Sequence, residues 1–220
     1  MFKTFSSSLL LWVLTSLSLP AQANQQVLPE DKLFSPKFAL TEPSAQQQQM
    51  SQVLTQLSQY SQLQGRFVQH RHLALLSQPL VSSGNFSLSA SAGLHWQQIT
   101  PFASQLSLNN TQLSQQIADG PVQVISAQEQ PALFAFSSLF LGLFRGDEIS
   151  LKQNFQLYFT GDINAWQLGG VPLGSPLNQA IKSIRLQGNK HINYFELIDS
   201  NQDKLTIEFS DVVSSNTVEP

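Results

Sequence analysis

From Gly65 onward the chain alternates apolar and polar residues with a period of two for most of its length, and this alternation restricts it to a β fold. Phe67, then Phe86, Leu88 and Ala90, then Leu94 and Trp96, then Leu106 and Leu108 are interleaved with Asn85, Ser87, Ser89, His95, Gln97, Gln105 and Ser107. Each run predicts a strand with one apolar and one polar face. Turn residues separate the runs: Ser82-Ser83-Gly84, Ser91-Ala92-Gly93, Thr100-Pro101, Asn109-Asn110 and Asp119-Gly120-Pro121. The pattern returns in Phe155 to Phe159, Trp166 to Leu168, Ile184 to Leu186, Ile192 to Leu197 and Leu205 to Phe209. Pro172 to Lys182 is a short helix or a loop. On the order of nine to eleven strands follow, too many for a flat sheet, so the sheet is expected to curl into a sandwich or a partial barrel.

Before Gly65 the pattern is helical. Met50, Val53, Leu54, Leu57, Tyr60, Ser61 and Leu63 recur every three or four residues and predict a short amphipathic helix capped by Ser44 or Ser51. Residues 24–49 contain Pro29, Pro36, Pro43 and the run Gln46 to Gln49, and read as an extended leader or linker. Residues 1–23 read as a secretory signal peptide. Lys3 precedes an apolar run from Leu9 to Leu19, and Ala21-Gln22-Ala23 supplies a cleavage pattern after Ala23. That run is shorter than the roughly 20 residues a membrane-crossing helix needs. The remaining divisions are a domain over 50–213 and a flexible tail over 214–220.

One stretch follows neither clean alternation. Pro131 to Phe144 is rich in Phe and Leu, and Leu133, Phe136, Phe140, Leu143 and Phe144 lie three or four apart. One or two short helices are expected, started by Pro131 and stopped by Gly146. Such a segment either plugs one end of a barrel or forms a lid over an apolar cavity, and one helix can do both.

Composition removes several kinds of function. Charged residues are 11% of the chain and the net charge is −3, so no basic stripe exists to neutralise nucleic-acid phosphates. The absence of cysteine excludes disulfides, thiolate metal sites, Cys nucleophiles and an acylated lipobox cysteine. His70 and His72 would share a strand face, but no third ligand has a recognisable spacing, and His95 and His191 are isolated. A solvated strand face explains the pair. There is no Gly-x-Ser-x-Gly elbow and no phosphate loop, and Asp147-Glu148 reads as a polar turn. No metal, cofactor or catalytic residue is expected; the reading is a binding protein and not an enzyme.

The succession Gly65-Arg-Phe-Val-Gln69, Ser83-Gly-Asn-Phe-Ser-Leu88, Gly93-Leu-His-Trp96 and Thr100-Pro101 resembles the LolA-like periplasmic carriers of outer-membrane lipoproteins. Asn154 to Leu157, Ile184 to Gly188 and Asp203 to Phe209 are similar to the closing strands of that family. The likeness covers roughly residues 50 to 212.

The resemblance implies an incomplete antiparallel β-barrel enclosing an apolar cavity with a helical lid. It implies a periplasmic location, an acylated lipoprotein or other lipid as cargo, an inner-membrane exporter as donor and an outer-membrane acceptor, and a monomer. The cavity wall is expected from Phe67, Phe86, Leu88, Leu94, Trp96, Leu106, Leu108, Phe155, Leu157 and Trp166, and the lid from Phe136, Leu139, Phe140 and Leu143. Taken singly, each is equally an ordinary core position. The chain also departs from the family. There an Arg followed by Pro, between the Gly-containing and Trp-containing strands, locks the lid; here Ala90 and Ser91 stand in that place. Arg66, Arg71 or Arg145 would have to reach the lid instead. The competing readings are a carrier of another lipid or amphiphile, and a secreted β scaffold or assembly factor with a filled interior.

Overall fold

The computed structural model describes residues 32–41, 44–89, 92–109, 112–126, 128–129, 134–135, 137–138, 141–142 and 147–215. The expected signal peptide, its cleavage site, Ala90, Ser91, Arg145 and the four expected lid residues lie outside that set.

Eleven strands form one sheet: β1 (Gln62–His72), β2 (Leu80–Ser89), β3 (Gly93–Thr100), β4 (Ser104–Leu108), β5 (Gln112–Ile117), β6 (Gln123–Ser126), β7 (Phe155–Asp162), β8 (Ala165–Pro172), β9 (Ile181–Gly188), β10 (Ile192–Asp199) and β11 (Lys204–Ser215). Their spatial order is β6-β5-β4-β3-β2-β1-β11-β10-β9-β8-β7. Every neighbouring pair is antiparallel. Two meanders, β1 to β6 and β7 to β11, are thus sewn together by the first and last strands. β6 and β7 are left as separate edges, so the sheet is an unclosed barrel, as expected.

The helix before the sheet, α1 (Ala45–Leu57), starts five residues ahead of the apolar stripe that announced it. Ser44 explains the earlier start: its side chain accepts a hydrogen bond from Gln47 N–H at 3.2 Å, and glutamine is a good helix former. The glutamine run is therefore helical rather than extended. Met50, Val53, Leu54 and Leu57 are buried, and α1 packs on β7. Residues ahead of it are also ordered on the sheet. Lys32–Phe34 and Pro36–Phe38 are short 3-10 turns, Ala39 bridges Tyr158, and Leu40 N–H donates to Leu157 O at 2.9 Å. They partly cover the β7 edge, a usual way to blunt an exposed ladder. Gly169 makes room for them, because a Cβ there would lie 2.8 Å from the Phe34 ring.

Two further helices are α2 (Glu148–Asn154) and α3 (Leu177–Ala180). Asp147 caps α2 by accepting from Ser150 N–H at 3.0 Å, so Asp147-Glu148 opens a helix where the sequence read a turn. The Ser51 hydroxyl, on α1, donates to the Glu148 carboxylate at 2.7 Å. A second correction concerns Ser82-Ser83-Gly84, which lies inside β2 and is no turn. The register of β2 against β3 shifts between Ser83 and Gly84. Gly84 meets this irregularity: a Cβ there would overlap the Gln97 carbonyl oxygen. Of the other expected turns, Ala92, Pro101, Asn109 and Asp119 to Pro121 fall between strands, Gly93 and Thr100 are the first and last residues of β3, and Ser91 and Asn110 lie outside the described residues.

Candidate functional site

Because directly paired residues share a face, the register defines rows of side chains across the inner surface. At the end carrying the β2–β3 and β4–β5 turns, Leu63, Leu88, Leu94, Leu108, Leu113 and Ile125 form one continuous apolar row over six strands. The next row inward places Phe86, Trp96 and Leu106 side by side. Above them Phe67 faces Phe209 on β11.

These aromatics pack on one another. Phe67 stacks on Trp96 with ring centroids 3.7 Å apart and planes 24° from parallel. Phe86 meets Phe209 edge-on at 5.1 Å, and Trp96 meets Phe209 edge-on at 6.3 Å. Seven of the ten expected wall residues, Phe67, Phe86, Leu88, Leu94, Trp96, Leu106 and Leu108, therefore lie together on the inner face of the β1–β6 half. The other three belong to a separate region. Leu157 continues through Gly170, Ile184, Leu197 and Leu205, with Phe155 on the neighbouring row and Trp166 two rows away, on that of Gly161. Helices α1 and α2 pack on β7 there, and Phe155, Leu157 and Trp166 are buried. Phe159, fully buried, lies in the row between Leu157 and Gly161.

Leu63, Leu113, Ile125 and Phe209, which were not among the expected wall residues, share this inner face. Phe209 stood in a recognised alternating strand, and its phase with Leu205 and Ile207 was the signal available. In the connection between β6 and α2, Phe134, Ala135, Ser137, Ser138, Leu141 and Gly142 are helical, and Phe134 and Leu141 are buried.

A cavity of about 420 Å³ lies at the same end of the sheet. Its lining includes Gln64, Ser87, His95 and Ser107, which are mutual register partners on the outer face. It is therefore a groove of the polar surface. Leu88 and Leu94 are the two expected wall residues that border it.

Charge is distributed just as unevenly. On the outer face Arg185 donates to the Glu196 carboxylate at 3.0 Å, and Tyr194 O–H donates to the same oxygen at 2.9 Å. Burial, then the Glu196 charge, pushes the Tyr194 phenol up to about 12. On the inner face of β1 stands Arg71, buried at 8% exposure. Burial lowers its pKa, and the carboxylates of Asp203 and Asp199 oppose that effect. Arg66 pairs with Asp211 on the exposed face. His70 and His72 share that outer face of β1, and among the described residues no three His, Cys, Asp or Glu side chains gather in a metal-binding group. Burial, then the charges of Lys204 and His70, lowers the His72 pKa.

The protein is thus an open antiparallel half-barrel, with short helices on one half of the sheet and a leucine and aromatic surface on the inner face of the other. Residues 42–201 match the family described as outer membrane lipoprotein carrier protein LolA-like, and the chain belongs to that family.

Similar solved structures include a LolA superfamily protein from Nitrosomonas europaea, at 6% identity and a TM-score of 0.42, covering 77% of this chain and 95% of that one. A putative outer membrane lipoprotein-sorting protein domain from Vibrio parahaemolyticus has 9% identity and a TM-score of 0.40 over 79% and 94% of the two chains. A DUF1329 family protein from Desulfovibrio piger has 10% identity and a TM-score of 0.43 over 77% and 92%. No curated protein matches the chain.

Proposed function

We propose that this protein is a periplasmic carrier that shelters the acyl chains of a lipoprotein on the inner face of its β1–β6 half while the cargo crosses water toward the outer membrane. The observation that carries this reading is the six-strand row Leu63, Leu88, Leu94, Leu108, Leu113 and Ile125 beside the Phe86, Trp96 and Phe67 cluster. An acyl chain gains about 0.8 kcal/mol for each methylene taken out of water, so a multiply acylated cargo does not leave a bilayer unaided. A wide apolar surface offsets that cost.

The Phe67 and Trp96 stack suits the empty state of such a carrier, because stacked rings cover each other when no chain is present. Entry of a chain would part them, and their re-association on release would help expel it. The expected helical lid, with Phe136, Leu139, Phe140 and Leu143, would be the moving cover. An inner-membrane exporter would load the carrier and an outer-membrane acceptor would empty it. Binding alone accounts for this role, with no catalytic step.

Expression with the native leader in a bacterial periplasm, followed by native mass spectrometry, tests the reading. Co-purified lipoprotein or lipid, lost on Trp96→Ala, is the expected result. Protein that emerges without lipid and takes up neither acylated peptide nor long-chain lipid in vitro would remove it. Recovery of a lipid without any lipoprotein would select the related reading of a carrier for another amphiphile.

A further inference from the structure

The inner face changes character along the strands. Six residues along β2 from Leu88, the inward position is Ser82, which pairs with Gln69 of β1. On β3 the inward residue two positions beyond Trp96 is Gln98, paired with Gly84. Arg71 follows Gln69 on the same face of β1. Three of these polar residues are deeply buried: Ser82 at 8% exposure, Gln98 at 9% and Arg71 at 8%. Gln98 Nε2 donates to Phe102 O at 2.9 Å, whereas the buried Ser82 hydroxyl has no hydrogen-bond partner among the described residues. A buried hydroxyl left without a partner is costly, and nearly all such groups in folded proteins are bonded to something.

We infer that this inner face binds an amphiphile in one orientation, with the neutral ester and hydroxyl part of an acylglycerol against Ser82 and Gln98 and the chain end over the leucine row. This rests on the carrier reading and adds a polar subsite to it. Ser82 to Leu88 spans about 20 Å at about 3.3 Å per residue, enough for an extended long-chain acyl group. The subsite favours an uncharged head. Ser82 and Gln98 offer neutral donors and acceptors, and Arg71 on the same face of β1 already lies in the field of Asp203 and Asp199.

Two probes separate the subsite from the apolar surface. Monooleoylglycerol carries the polar head; N-phenylnaphthylamine, an apolar dye, does not. With the full chain, Ser82→Ala and Gln98→Leu are each expected to weaken monooleoylglycerol binding about fivefold, the effect of one lost hydrogen bond, and to leave dye binding unchanged. Folded variants that bind both probes as the wild type does would overturn the subsite and leave the carrier reading standing. A wild type that binds neither probe would overturn both.

If either variant fails to fold, the orientation is read from quenching of a tryptophan placed on the leucine row, Ile125→Trp in a Trp96→Phe background, because Trp96 itself lies midway between Gln98 and Leu94. A spin label near the chain end should quench this signal more than one near the carboxyl group. The reverse order would overturn the inference.

Discussion

Phe67 and Trp96 lie face to face at 3.7 Å across the bulged stretch of β2 that contains Gly84. Neither residue neighbours the other in register: Phe67 pairs with Gly84, and Trp96 pairs with Phe86. Gly84 stands between them on β2 without a side chain, and a Cβ there would lie against the Gln97 backbone of β3.

Gly84→Ala is therefore expected to destabilise the protein by about 3 kcal/mol, because the new methyl group meets a backbone carbonyl and no flexible side chain. Urea unfolding followed by tryptophan fluorescence measures this. A midpoint equal to that of the wild type would show that β2 and β3 can part without loss.

Glu196 serves both Arg185 and Tyr194, and its side chain is 7% exposed. Removing its charge leaves Arg185 partly buried beside a weaker acceptor, so Glu196→Gln should cost about 3 kcal/mol in denaturant unfolding. An unchanged midpoint would mean that the pair contributes nothing.

Alkaline titration reads the same cluster. The folded state holds the Tyr194 phenol protonated up to about 12, against about 10 for an unfolded tyrosine. The stability it contributes is complete below about pH 10 and is lost as pH rises toward 12. Tyr194→Phe should flatten the decline between those values in thermal melts, and an unaltered slope would assign the decline to other groups.

His191 has the opposite sign. Burial, then the Lys190 charge, lowers its pKa, and among the described residues its buried Nδ1 has no hydrogen-bond partner. The folded state prefers neutral imidazole, so the contribution is present above the unfolded value of about 6.5 and is lost as pH falls through the lower folded value. His191→Phe keeps a ring against Tyr60, 4.9 Å away, and should reduce the loss of stability between pH 7 and 5. A variant as acid-sensitive as the wild type would exclude His191 as the source.

Ser44→Ala removes the cap of the helix that covers β7 and should cost about 1 kcal/mol, read as a lowered urea midpoint. Ser44→Asp should restore most of it. Loss of equal size in both variants would point away from capping.

The strands were legible because alternation survives wherever one face meets the core, as in Leu94-His95-Trp96. What alternation cannot supply is register. Nothing local tells Phe67 that it will stack on Trp96, or that Phe209 will join them from the far end of the chain. Ser82-Ser83-Gly84 misled for a physical reason, since turns and bulges use the same small residues. The docking of residues 32–40 on β7 was hidden for another: prolines and mixed charges suit an extended leader and an edge cover equally well. Of the expected wall residues, seven share the inner face of the β1–β6 half, whereas Phe155, Leu157 and Trp166 lie on the half where α1 and α2 pack on β7, a division that alternation alone does not reveal.

The pairing of β1 with β11 fixes the order in which this molecule can become whole. Each meander can zip locally, but the seam between them joins residues separated by most of the domain and closes only once the last strand is available. A partly synthesised chain would therefore hold two unsealed halves, and the aromatic cluster, which borrows Phe209 from β11, would be completed last.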